Sequence, residues 1–222
     1  MIRIFKLLPL LLLFSFTTSF AQQIQIINKP IVFDEIRAQL SLDYLKRRHN
    51  LIQKTPIIIP KMIVLHWTAS RSLMGTYNTF NKSILPSSRK ALVNASSLNV
   101  SSHYLVDRDG SIYQLLPDTV FARHVIGLNY CAIGIENVGS DTYPLTQAQL
   151  FANEKLVRYL TRKYNIEYLI GHYEHTWFKN TSLWRETNPY YFSQKIDPGI
   201  SFMRRIREEL QDLNLKGAPP KK

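Results

Sequence analysis

An unbroken apolar run, Met62-Ile63-Val64-Leu65, follows Lys61 and stops at His66-Trp67, just before the small polar residues Thr68-Ala69-Ser70. A short run of this kind, bounded by Pro60 and by small polar residues, is the pattern of a central sheet strand covered on both faces. In open α/β sheets ligands gather at the carboxyl ends of such strands, so His66 stands where chemistry is usually done. A lone imidazole at a strand end is also read as a hydrogen-bonded core residue. His66 therefore needs partners from elsewhere in the chain.

The flanking sequence supplies the other layers. Gln22 to Pro30 is polar and extended. Phe33, Ile36, Leu40 and Tyr44 then fall on one face of a helix that starts at the N-cap residue Asp34. That helix ends in Lys46-Arg47-Arg48-His49-Asn50, cations where the helix dipole favours them, and His49 is assigned to this exposed basic end, outside any site. Residues 22–56 read as an N-terminal brace. Ser70 to Phe80 suits a short helix, and Asn81 to Val100 a long loop. Ser102-His103-Tyr104-Leu105-Val106-Asp107 and Ser111-Ile112-Tyr113-Gln114-Leu115 flank Asp109-Gly110, which predicts a hairpin. Ala132 to Val138 is a further strand with one carboxylate, Glu136, in an otherwise apolar run. Thr146 and Gln149 have capping-box spacing ahead of a helix with Leu150, Val157, Leu160 and Tyr164 as its stripe. Tyr168 to Gly171 is a short strand ending at His172. A last helix carries Phe202, Ile206 and Leu210 on one face, and Lys216 to Lys222 reads as a loose end of a basic tail over 213–222. No period of 20 to 50 residues recurs. The mixture predicts a single α/β domain over 57–212, a central mixed β-sheet flanked by helices.

Residues 1–21 are set apart from the fold. Arg3 and Lys6 precede an apolar run from Leu7 to Phe16, and Ser19-Phe20-Ala21 offers small residues for signal-peptide cleavage. The run is shorter than the roughly 20 residues that span a bilayer. Export to a periplasmic or extracellular space is expected, with no membrane anchor after cleavage, since no Cys follows Ala21 to take a lipid. Cys131 is the single cysteine, so no intramolecular disulfide is available, and stability must come from the core, a metal, or both. The formal charge is +12, and removal of the two cations of the leader leaves +10. That balance favours polyanions. Export and the lack of a basic recognition motif exclude nucleic acid in favour of an anionic envelope polymer.

Two strand ends finish in histidine, at His66 and His172, and Asp197 lies in Lys195-Ile196-Asp197-Pro198-Gly199. Two imidazoles and one carboxylate are a catalytic zinc set, with a fourth position open to water. Without HExxH or CxxC the spacing leaves two readings, zinc ligands or satisfied core histidines.

Val64 to Ala69, Ser102 to Gly110, Ile133-Gly134-Ile135-Glu136, Gly171-His172 and Lys195 to Gly199 together resemble the zinc-dependent N-acetylmuramoyl-L-alanine amidases, whose superfamily includes the peptidoglycan recognition proteins. The similarity spans Ile57 to Leu210. It implies an amidase/peptidoglycan recognition protein-like fold, one Zn2+ ion held by His66, His172 and Asp197, Glu136 as catalytic glutamate and Lys195 as catalytic lysine. It further implies that His103 and His124 line the substrate site, to which Trp67 beside His66 is assigned as well. His175, three residues after His172, is an alternative ligand on the separate ground that closely spaced histidines bind metals. Ser102 stands where the phage branch has a tyrosine, which places the chain in the glutamate branch. The implied activity is hydrolysis of the amide between N-acetylmuramic acid and L-alanine in peptidoglycan or muropeptides, by a monomer. The rival is a recognition module that binds the wall without cutting it; such members typically lose a zinc ligand, whereas the whole set is present here. Tyr173 to Gln194 departs from the compact family pattern as an aromatic insertion, read either as packing under a long loop or as a cleft wall.

Overall fold

The computed structural model describes residues 24–221 of the 222-residue chain, and the expected leader at 1–21 lies outside them. Its six strands are β1 (Ile26–Asn28), β2 (Met62–Trp67), β3 (Tyr104–Val106), β4 (Ile112–Gln114), β5 (Ala132–Asn137) and β6 (Tyr168–Gly171). They form one mixed sheet in the order β1-β4-β3-β5-β2-β6. β3, β5, β2 and β6 run parallel; β4 is antiparallel to β3, across the predicted Asp-Gly turn, and β1 is parallel to β4. The helices are α1 (Glu35–His49), α2 (Leu73–Asn81), α3 (Lys90–Val93), α4 (Gln147–Lys163) and α5 (Ile200–Glu209). None of the described helices is long and apolar enough to cross a membrane.

Alternation along the central strands feeds two cores, because successive side chains leave a strand on opposite faces. Ile63, Leu65, Ile133 and Ile135 pack against Leu150 and Val157 of α4 and against Phe202, Met203 and Ile206 of α5. Met62, Val64, Ala132 and Ile170 pack on the other face against Val125, Leu128 and Phe178. Residues 62–65 are fully buried, as a strand covered on both sides must be. α4 starts as expected: the Thr146 hydroxyl accepts from Gln149 N at 3.1 Å, and the Gln149 side chain accepts from Thr146 N at 2.9 Å.

Four local expectations change. α1 is capped by Asp34, whose carboxylate accepts from Arg37 N at 2.8 Å, and of the expected stripe Tyr44 is buried and Phe33 and Leu40 are partly buried, but the buried face is turned away from Ile36. Ile36 is 52% exposed, while Arg37, Tyr44, Leu45 and His49 are buried. Arg37 Nη2 donates to the carbonyls of Phe80 and Lys82 at 2.7 Å each, which offsets part of the cost of burying the guanidinium. His49 is not part of an exposed basic end: its ring packs against Tyr44, Phe121 and Tyr130. The polar stretch before Pro30 supplies the edge strand β1, and the chain beyond Leu215 is not loose throughout. Lys216 pairs with β6, its N–H donating to Glu167 O at 2.9 Å and its carbonyl accepting from Leu169 N at 3.0 Å.

The 173–194 insertion does both things expected of it. Its first part is a 3-10 turn, His172–Phe178, with Phe178 in the core, while Trp184 packs over Gly127 and Tyr191 reaches the cleft described below.

Candidate metal centre and cleft

Register brings the site together. His66 pairs with Glu136 across β2 and β5, and Leu65 pairs with Gly171 across β2 and β6, so His172 follows beside His66. Asp197 arrives from the loop ahead of α5, tied to the turn after β6 by Tyr173 N donating to Asp197 O at 3.0 Å. Gly199 caps α5 at φ 91° and lies under the Trp67 ring.

His66 Nδ1 and His172 Nδ1 lie 2.9 Å apart; Asp197 Oδ2 is 3.3 Å from the first and 3.0 Å from the second. Ligands about 2.05 Å from a tetrahedral zinc are separated by roughly 3.3 Å, so this triangle has the size of one face of such a site. All three residues are buried.

Hydrogen bonding sets which imidazole nitrogen is free. His124 Nε2 lies 3.1 Å from Ala132 O, and a carbonyl can only accept, so that nitrogen carries the proton. His124 Nδ1, 3.0 Å from His66 Nε2, is then the acceptor. His66 therefore donates through Nε2–H and keeps its Nδ1 lone pair for the triangle, the form a metal ligand needs. Burial and the neighbouring His172 bring the His66 pKa down to about 4, and burial lowers His172 and, far more, His124. Burial alone would raise the Asp197 carboxyl, but His172 and His66 outweigh it and hold it well below the usual carboxylate range. Two neutral imidazoles and an ionised carboxylate are a donor set that fits zinc.

Glu136 completes this end. Its Oε2 is buried without a hydrogen-bond partner, and burial together with Asp197 pushes its carboxyl well above the ordinary value, against the opposing pull of Lys195. A cleft of about 910 Å³ opens over the triangle and is lined by Glu136, Trp67, His124 and Lys195 among others. Lys195 is exposed on its rim, so its charge meets the cleft from the solvent side and not from a dry interior.

His103 does not line the cleft. It is fully buried behind His124, with both nitrogens spent: Nε2–H donates to Val120 O at 2.9 Å and Nδ1 accepts from Gly134 N at 3.0 Å. His175 stands outside the triangle, its Nδ1–H donating to His172 O at 2.7 Å, a bond that steadies the turn carrying His172. Sequence reasoning missed Tyr44, Arg89 and Arg123 as cleft residues. Tyr44 was visible only as one apolar position of α1, and nothing in the sequence set the two arginines apart from the other cations of the chain.

The sheet order and a site at the carboxyl ends of its central strands define an α/β domain of the amidase and peptidoglycan recognition protein type. The family model for N-acetylmuramoyl-L-alanine amidase matches residues 53–200, well over half of the chain, and the chain belongs to that family. Among solved structures it is similar to the N-acetylmuramoyl-L-alanine amidase LysC from Clostridium intestinale URNW, at 21% identity and a TM-score of 0.54, covering 87% of this chain and 100% of that one. It is also similar to a selenomethionine derivative of AmpD, at 23% identity and a TM-score of 0.54, covering 83% of this chain and 93% of that one. Among curated proteins, none matches the sequence.

Proposed function

We propose that the chain is an exported zinc amidase that hydrolyses the amide between the lactyl group of N-acetylmuramic acid and L-alanine in peptidoglycan, freeing stem peptide from glycan. The observation that carries this reading is the His66–His172–Asp197 triangle with the unpartnered Glu136 oxygen beside it. Family membership supports the peptidoglycan amide as substrate class. His66, His172 and Asp197 would hold the metal, and when bound, zinc supplies Lewis acidity to the scissile carbonyl and acidity to water near neutral pH.

The remaining roles belong to the chain's own residues. Glu136 takes a proton at Oε2 from the attacking water and returns one to the departing amine nitrogen, a double duty suited to a carboxyl whose proton affinity is raised. Lys195 presents positive charge to the carbonyl oxygen as it becomes an oxyanion. His124 acts through His66, holding its tautomer and ring plane. Trp67 and His124 give the substrate a half-buried wall.

The test is a muropeptide digest read by mass spectrometry. Stem peptide should be released by the purified protein, should vanish after chelation, and should return with added zinc. Release that persists undiminished in chelator would remove the metal from the reading. Binding of sacculi with no release at all would favour a recognition module.

A further inference from the structure

We propose that the Glu174–Arg207 ion pair is a positioning device for the metal centre: it locks the turn that carries His172 to the helix that follows Asp197, and so fixes the two ligands relative to each other. The inference rests on the metal reading of the site, and it gives a task to two residues that neither line the cleft nor belong to the triangle.

The two ligands arrive on different pieces of chain. His172 opens the 3-10 turn after β6, and Asp197 stands just ahead of α5. Gly171 is the point where these pieces cross, with no room for a side chain. A Cβ there would come within 2.7 Å of Tyr173 Cε1, 2.9 Å of Met203 Cγ on α5 and 3.0 Å of Pro198 Cδ. Gly171 thus directly precedes one ligand and presses on the residue that directly follows the other. Glu174 holds this crossing. Its Oε2 accepts from Gly171 N at 2.8 Å and from Arg207 Nη2 at 2.6 Å, and the same Nη2 donates to Leu169 O at 3.1 Å. Arg207 therefore ties α5 to β6 and to the turn at once.

A second tie is what the helix needs. Tyr173 N and Asp197 O join the turn to the loop at the start of α5. Arg207 joins them again two turns further along the helix, about 12 Å from Gly199. A rod held at one point pivots; held at two it does not. Phe202, Met203 and Ile206 also press α5 onto the sheet, but apolar contact is non-directional, whereas a guanidinium shared between a carboxylate and a carbonyl fixes an angle. Stability alone does not account for the pair. The Glu174 side chain is only 5% exposed, and taking a carboxylate out of water offsets much of the attraction to its partner. What the pair adds is geometry, at the place where His172 Nδ1 and Asp197 Oδ2 stand 3.0 Å apart.

Metal affinity and ligand geometry, read on the full chain without substrate, test this. Zinc affinity is measured by competition with a chromophoric chelator, and ligand geometry by the visible spectrum of the protein loaded with cobalt(II). Arg207→Met should weaken zinc about 10- to 100-fold, the range for losing a partner behind a ligand, and should shift the cobalt bands. Arg207→Lys, which keeps a cation at Glu174, should recover most of the loss. Glu174→Gln added to Arg207→Met removes the carboxylate that the single change leaves unpaired; it should weaken zinc by a similar factor, and it decides the matter if Arg207→Met does not fold. Thr146→Ala, which lowers stability through the cap of α4, should keep the parental affinity and spectrum. Parental values in Arg207→Met, or in the double variant where the single one does not fold, would overturn the proposal, as would an equal loss in Thr146→Ala. An unsubstituted chain that binds no zinc would sink the metal reading along with it, whereas a zinc-loaded chain that releases no stem peptide would strike the amidase reading alone.

Discussion

The His66 imidazole is useful because of a residue that never touches the metal position. His124 fixes the Nε2–H tautomer of His66, and it can lie flat on the sheet only because Gly134 has no side chain: a Cβ there would come within 2.7 Å of His124 Cγ. His124→Phe keeps the ring volume and removes the acceptor. Zinc affinity, measured by competition with a chromophoric chelator, should fall about 10- to 100-fold, the usual effect of losing a partner behind a ligand. Glu136→Gln separates binding from chemistry. The variant should hold zinc as tightly as the parent while turnover drops by roughly 10²- to 10⁴-fold, and retained turnover would take Glu136 out of the mechanism. The His66–His172–Asp197 group could be named from its motifs, but the difference between His103 and His124 could not. Both are histidines near the same strand, and only the third dimension shows one with both nitrogens bonded to backbone and the other facing His66.

At the scale of elements, the legible pieces were those whose signals are local. The apolar run of β2, the Asp-Gly turn between β3 and β4 and the Thr146–Gln149 box all appear where the residues place them. Thr146→Ala removes the hydroxyl half of that box, leaving the backbone N–H that Gln149 accepts from, and should cost about 1 kcal/mol of stability, read as a lower urea midpoint with an unchanged slope. Elements fixed by distant partners were not legible. β1 is three residues long and mostly exposed, and it is a strand because β4 offers it a parallel edge. The buried face of α1 is set by the carbonyls of Phe80 and Lys82 awaiting Arg37 and by the loop at 185–187, none of which leaves a periodic trace in α1 itself.

Across the whole molecule, all six histidines have proton affinities lowered by burial, His49 to about 3 and His66, His103 and His175 to about 4. A histidine near 6.5 in the unfolded chain and near 4 in the folded one binds more protons when unfolded. The stability it contributes is complete above about pH 6.5 and is lost as pH falls toward 4. For each histidine held near 4, the loss by pH 5 is on the order of 1–2 kcal/mol. The metal-free protein should therefore show a sharply lower urea midpoint at pH 5 than at pH 7.5, and equal midpoints would mean that these rings are not kept neutral. Lowered carboxyls such as Asp118 and Asp197 act further down, while the raised Glu136 and Glu186 bind protons more tightly in the folded chain and oppose the histidines in this window, two groups against six.

The sheet ends at β1 on one side and at β6 on the other, and among the described residues β6 is the edge that gains a further pairing, at Lys216. β1 lies along β4, and the segment at Lys216 lies along β6. An open strand margin is an invitation to a second copy, since its unpaired amides and carbonyls template further pairing. The segment at Lys216 therefore acts as a selvedge: it shields the β6 margin of the sheet from extension by a neighbour, a safeguard that trimming to the family-matched residues 53–200 would remove.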